Sequence, residues 1–211
     1  MNPFALLMLG LALVLVNVQV TALGNYEVPP DMAGYAVAVF ALNNLIARVS
    51  SGSPRYPALQ LARTVCSLLL LFSLPDLVPP AARGAYERFI WLGNVGSAAL
   101  FIAFSWYLLD GIRLWAREVG ETTLALQAGR RRFIVAGLAA LILTLVLVRW
   151  YLPEGIIPPT YQAYERMLVI APNLVQIVLA FFLLATLFRA AQSLTGGPPP
   201  SETSPPAATG V

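Results

Sequence analysis

The chain has 211 residues, 58% of them hydrophobic and 11% charged, with a formal net charge of +3 and no histidine. A soluble domain carries about 25% charged residues, so this composition, with its mean hydropathy of +0.74, points to a bilayer. The missing imidazoles exclude His-ligated haem, the common catalytic zinc sites and His-based acid–base chemistry. With Cys66 as the single cysteine, an intrachain disulfide is excluded too.

Six apolar stretches approach the roughly 20 helical residues needed to cross a hydrocarbon core. The first, Phe4 to Leu23, reads "FALLMLGLALVLVNVQVTAL" and is apolar on all faces except at Asn17 and Gln19. It lacks a basic leader, and its apolar run is longer than that of a signal peptide, although "VTALG" offers small residues for cleavage. The loop "GNYEVPPD" leads to a shorter second segment, Met32 to Ile46, which contains Asn43 and Asn44. "ARVSSGSPRYPA" is a loop by its Ser, Gly and Pro content.

The third segment, Pro57 to Leu74, carries Arg63 near one end, where a long side chain reaches the headgroups. The fourth, Phe89 to Leu109, holds Gly93 and Ser97 at a small-xxx-small spacing that lets another helix approach. Asp110 and Arg113 follow one turn apart and are expected to pair. The connection "LWAREVGETTLALQAGRRR" has the composition of a helical continuation or a surface helix. The fifth and sixth segments are Phe133 to Leu152 and Met167 to Phe188. Residues 196–211, rich in Pro, Ser and Thr, form a tail expected to be disordered, which leaves residues 1–195 as one transmembrane domain.

The thirteen basic residues are all arginine. With the amino terminus inside, inner segments hold nine of them (Arg48, Arg55, Arg63, Arg113, Arg117, Arg130, Arg131, Arg132 and Arg189), and outer segments hold Arg83, Arg88, Arg149 and Arg166. This bias predicts a multi-pass protein of the cell membrane with both termini cytoplasmic. It also makes the Arg130–Arg132 run a topology anchor, with no nucleic-acid partner implied.

"PPAARGAYERFIWLGN" (79–94) and "PPTYQAYERMLVIAPN" (158–173) each run from a proline pair through Ala-Tyr-Glu-Arg to an asparagine. "PPDMAGYAVAVFALNN" (29–44) forms a looser third copy, with Tyr35 near the place of Tyr86 and Tyr164. Each copy joins an outer loop to a returning helix. The expected fold is therefore an all-α integral membrane protein of six transmembrane helices, arranged as three consecutive helical hairpins with a weak threefold repeat.

From tyrosine to asparagine is about 12 to 14 Å of helix, which places Asn44, Asn94 and Asn173 near mid-membrane, where Asn43 and Gln176 can join them. The simpler role for such amides is interhelical hydrogen bonding, worth roughly 0.6 to 2 kcal/mol each; the sharper one is a polar pathway for a solute or ion. Glu87 with Arg88 and Glu165 with Arg166 read as outer-interface ion pairs, with a gate or partner contact as the alternative.

No acidic residue falls at the centre of a span, and no GxSxG elbow is present, so neither an enzyme nor a proton-coupled transporter is indicated. No cofactor or metal is implied. The favoured function is a non-enzymatic accessory or assembly subunit of a larger membrane complex. Its expected partners are the lipid bilayer and a membrane protein or further copies of itself. The alternative is a small channel or facilitator built on the asparagine layer.

Overall fold

A computed structural model describes residues 2–15, 19–20, 26–27, 30–73, 90–151 and 159–194, without the side chains of 19–20, 26–27, 30, 90–94, 145–146, 148–151, 159–170 and 172–173. Six helices make up the described chain: α1 (Pro3–Leu15), α2 (Pro30–Ile46), α3 (Arg55–Phe72), α4 (Ile90–Val119), α5 (Thr122–Tyr151) and α6 (Pro159–Ser193). The architecture is all-α apart from one antiparallel pairing of Gln19–Val20 with Tyr26–Glu27. The tail at 196–211 lies outside the described residues.

The first segment corrects the expectation of a twenty-residue helix. α1 is 13 residues long and ends at Leu15. Within the expected span, Gln19–Val20 are extended and pair with Tyr26–Glu27. Elsewhere the chemistry of the termini sets the bounds. Pro30 and Pro159, each the second proline of a pair, are the first residues of α2 and α6. A proline there gives up an N–H that has no intrahelical partner anyway, and its fixed φ suits the first turn.

The connection between the fourth and fifth segments is helical, divided between α4 and α5. α4 stops at Val119 because Gly120 adopts φ 86°, a region that favours glycine. The Glu121 N–H then reaches the Ala116 carbonyl at 2.8 Å, and the Gly120 N–H reaches Arg117 at 3.2 Å. This six-to-one and five-to-two pair of bonds closes the helix end. Thr122 starts α5 immediately afterwards.

Successive helices pack against one another, and α6 also packs on α1 and α4. The contacts close a circuit through α1, α2, α3, α4 and α6, with α5 docked across α4 and α6. The consecutive pairs α1–α2, α3–α4 and α5–α6 each pack together, and α4 and α6 each touch three neighbours. The core is almost wholly apolar, built on Phe4, Leu7 and Leu11 of α1, Leu42 and Leu45 of α2, Leu59 and Leu69 of α3, Phe101, Phe104 and Leu108 of α4, and Leu183 and Leu187 of α6.

The tightest approach is between α1 and α2. A Cβ on Gly34 would stand 2.5 Å from the Gly10 carbonyl oxygen and 2.9 Å from the Val14 nitrogen. One on Gly10 would stand 2.7 Å from the Gly34 oxygen. The two backbones therefore touch only because both residues lack side chains.

Among the described residues, the helical stretches Val95–Val119 and Leu174–Ser193 are long and apolar enough to cross a bilayer, and α1 and α2 are apolar but shorter. Buried residues make up 44% and 39% of the most apolar windows of the two longer stretches.

Candidate functional site

Nine arginines have described side chains, and they gather at one end of the bundle. α4 holds twenty residues, Ile90 to Leu109, before its first charge at Asp110, and α5 carries no charge from Phe133 to Val148. Asp110–Val119 and Thr122–Arg132 therefore extend the α4–α5 hairpin about 15 Å past the apolar region. The other helices bring to the same level the end of α2, the beginning of α3 and the end of α6.

Asp110 is the centre of the α4–α5 contact. Its Oδ1 accepts from Arg132 Nη1 at 2.6 Å and lies 2.7 Å from Arg113 Nη2. The Arg132 guanidinium lies over the Trp106 ring, 4.0 Å from its centroid. A flat cation on an aromatic face gains from the ring quadrupole and keeps its edge N–H groups free for the carboxylate. Trp106, Asp110 and Arg113 stand at i, i+4 and i+7, on one face of α4. Burial lowers the Arg132 pKa, Asp110 opposes that shift, and Arg113 adds to it.

A second pairing ties α3 to α4. Arg55 Nε lies 3.2 Å from Glu118 Oε2, and Ser53 Oγ donates to Glu118 Oε1 at 2.7 Å. The Arg55 guanidinium covers Trp115 at 4.2 Å. Trp115 also meets Phe4 of α1, with ring centroids 5.4 Å apart. The start of α1 is thereby held at the same end.

Between α5 and α6 the arginines have neutral partners. Arg131 Nη1 donates to the Phe182 carbonyl at 3.1 Å and to the Thr186 hydroxyl, which itself donates to the Phe182 carbonyl at 2.7 Å. Arg189 donates to the Gln127 side-chain oxygen. Burial pushes the Arg131 pKa down, and the nearby Arg189 charge pushes it the same way.

Of the residues singled out from sequence, Asn43 is exposed in the last turn of α2 and accepts from Arg63 Nη1 at 3.3 Å. Asn44 beside it is half-buried. Gln176 donates to Ser97 Oγ at 3.2 Å, joining α6 to α4. Two of the named polar residues, Gln176 and Ser97, are thus brought together, while Asn43 serves the separate α2–α3 interface. Gly93 and Asn94 lie in α4, and Glu165, Arg166 and Asn173 in α6, with the side chains of these four polar residues outside the described set. Glu87 and Arg88 lie outside it entirely.

The expected pairing of Asp110 with Arg113 is present. The tryptophan platforms and the second arginine on Asp110 were not read from sequence; the Trp106-Asp110-Arg113 spacing was the available signal. Gly10 and Gly34 were missed as well, although Gly34 and Ala38 repeat the small-xxx-small spacing noted at Gly93 and Ser97. Among the described residues no three His, Cys, Asp or Glu side chains form a metal-binding group. No protein-family model, curated protein sequence or solved structure matches this chain.

Proposed function

We propose that the chain is a multi-pass membrane protein with both termini cytoplasmic, acting as a non-enzymatic accessory or assembly subunit that packs against a larger membrane partner. The membrane reading is supported by the outward surface. Large apolar side chains are exposed along α3 (Leu61, Leu68, Leu71), α5 (Leu141, Leu143, Leu147) and α6 (Leu174, Ile177, Phe181). A water-soluble monomer rarely exposes so continuous an apolar face. The nine described arginines collect at one end, as cytoplasmic borders do.

The observation that carries the partner reading is the outer side of α5. Ala136, Gly137 and Ala140 are exposed there, or nearly so, and a Cβ on Gly137 would meet nothing within 4 Å. Helices in lipid associate through such small residues, which allow close backbone approach. The amides of Asn43 and Gln176 serve two different helix interfaces, which favours packing over a shared pathway.

Purification from native membranes in mild detergent tests this reading. A partner at fixed stoichiometry, lost when Gly137 is replaced by leucine while the helical content stays unchanged, is the expected result. Solute flux produced by the purified chain alone in liposomes would instead establish the facilitator.

A further inference from the structure

The arginines at the cytoplasmic end fall into two groups. Arg55, Arg113 and Arg132 each lie within 3.2 Å of a carboxylate oxygen. Arg131 and Arg189 have neutral partners, and among the described residues no carboxylate lies at ion-pair distance from either. Gln127, which holds Arg189, stands one turn before both Arg130 and Arg131 on α5. Arg131 and Arg189 therefore meet where α5 packs on α6, and Arg130 precedes Arg131 in the same turn of α5. Arg130 and Arg189 are exposed, and Arg131 is half-buried.

Like charges held together are unfavourable unless an anion completes the set. The position identifies the anion's chemistry. Phe133, 78% exposed, follows Arg130 by one turn, and Phe188, 56% exposed, adjoins Arg189. Exposed apolar side chains thus accompany the arginines along both helices at this level. A ligand matching this site joins a phosphate to a long hydrocarbon chain.

We propose that Arg130, Arg131 and Arg189 form a binding site for the phosphate of an anionic phospholipid in the cytoplasmic leaflet, with its acyl chain lying along Phe133 and Phe188. Guanidinium groups suit phosphate oxygens by their planar, forked donors. Basic pockets between helices on the cytoplasmic side are a known way to hold such headgroups. The Arg131 bonds to Phe182 and Thr186 fix one guanidinium in advance, Gln127 steadies Arg189 beside it, and exposed Arg130 completes the set on the ligand. This inference rests on the membrane reading above.

The test is native mass spectrometry of the full chain released from detergent containing equal amounts of dioleoylphosphatidylglycerol and dioleoylphosphatidylcholine. The wild-type chain is expected to retain the anionic lipid preferentially. Arg130→Gln with Arg189→Gln, both exposed and therefore compatible with folding, should lower that retention about tenfold or more, since each charge near an anionic headgroup contributes roughly fivefold. Arg131→Lys, which keeps the charge but loses the fork, should fall between wild type and the double variant, whereas Arg48→Gln with Arg117→Gln, exposed positions elsewhere on the same end, should change nothing.

Equal retention by the Arg130/Arg189 variant, or equal loss in the Arg48/Arg117 control, overturns the site. Displacement of the lipid by millimolar inorganic phosphate overturns the lipid assignment in favour of a free anion. Release of the chain from membranes by an alkaline carbonate wash defeats the membrane reading itself. A chain that stays embedded but shows no arginine-dependent lipid retention defeats only the headgroup site.

Discussion

The α1–α2 crossing and the charged end of α4, α5 and α6 solve one problem by opposite means. At the crossing, Gly10 and Gly34 remove side chains so that backbone meets backbone, and what is gained is dispersion over a close, apolar contact. At the charged end, long arginines span a wider gap to Asp110, Thr186 and Gln127, and what is gained is directional and electrostatic. The first kind of contact is indifferent to salt and fails on any added volume. The second tolerates changes of volume but weakens as charges are screened or removed.

The sharpest way to break this contrast is Gly34→Val. The atoms that a Cβ would strike include the Gly10 oxygen and the Val14 nitrogen. Both belong to backbone and cannot rotate aside. A loss at the top of the overpacking range, about 3 kcal/mol, is expected, measured by thermal or SDS denaturation of the detergent-solubilised chain and equal at low and high salt. A loss under about 0.5 kcal/mol would mean that the two helices separate freely and that the crossing is no tighter than an ordinary contact.

Asp110→Asn comes next. It leaves Arg113 and Arg132 facing each other without their shared carboxylate. Breaking a fully buried pair costs about 3 to 5 kcal/mol. Here the side chains are 15% to 27% exposed, so about 2 kcal/mol is the expected loss. High salt should narrow the difference between variant and wild type, because screening also weakens the wild-type pair. An unchanged difference across salt would show that Asp110 acts through hydrogen bonding and packing alone.

The same contrast explains what could be read from the sequence. The Asp110–Arg113 pair was legible because one helical turn separates the two residues and local geometry brings them together. Arg132 reaches the same carboxylate from a different helix, and nothing in its own neighbourhood names that partner. The start of α2 at Pro30 fell close to the expected Met32, whereas α6 starts at Pro159, eight residues before the expected Met167, because hydropathy does not count the polar first turns of a helix. The end of α1 was not legible: hydropathy alone counted Gln19–Val20 toward a helix, although they are extended and pair with Tyr26–Glu27.

The Gly10–Gly34 contact was hidden for a different reason. A helix that is apolar on every face has no amphipathic stripe to show which side packs. Composition can therefore place such a helix in lipid without saying which residue touches the next helix. The same limit applied to the proposed amide layer. The sequence does not show how each helix is rotated, and that rotation decides which interface Asn43 and Gln176 join.

Gly120→Ala separates two uses of glycine. Unlike Gly34, Gly120 has open space around its missing Cβ, but its φ is +86°. Only the backbone strain of a left-handed residue is incurred, about 1 to 2 kcal/mol. The thermal denaturation midpoint should fall less than for Gly34→Val, and a D-alanine introduced by peptide ligation should recover it. Failure of D-alanine to do so would show that the α4–α5 turn depends on something other than this dihedral.

The smallest effect belongs to Glu118→Gln. Its partner Arg55 is partly covered by Trp115, but Glu118 itself stays 31% exposed by side chain. Water therefore competes for the carboxylate, and about 0.5 kcal/mol is expected. A double-mutant cycle with Arg55→Gln isolates the pair term. Because the cation–π contact belongs to Arg55 and not to Glu118, Arg55→Gln should cost more than Glu118→Gln. Equal single-variant losses would mean that the tryptophan platform contributes nothing, and that the α3–α4 contact at this end is held by charge alone.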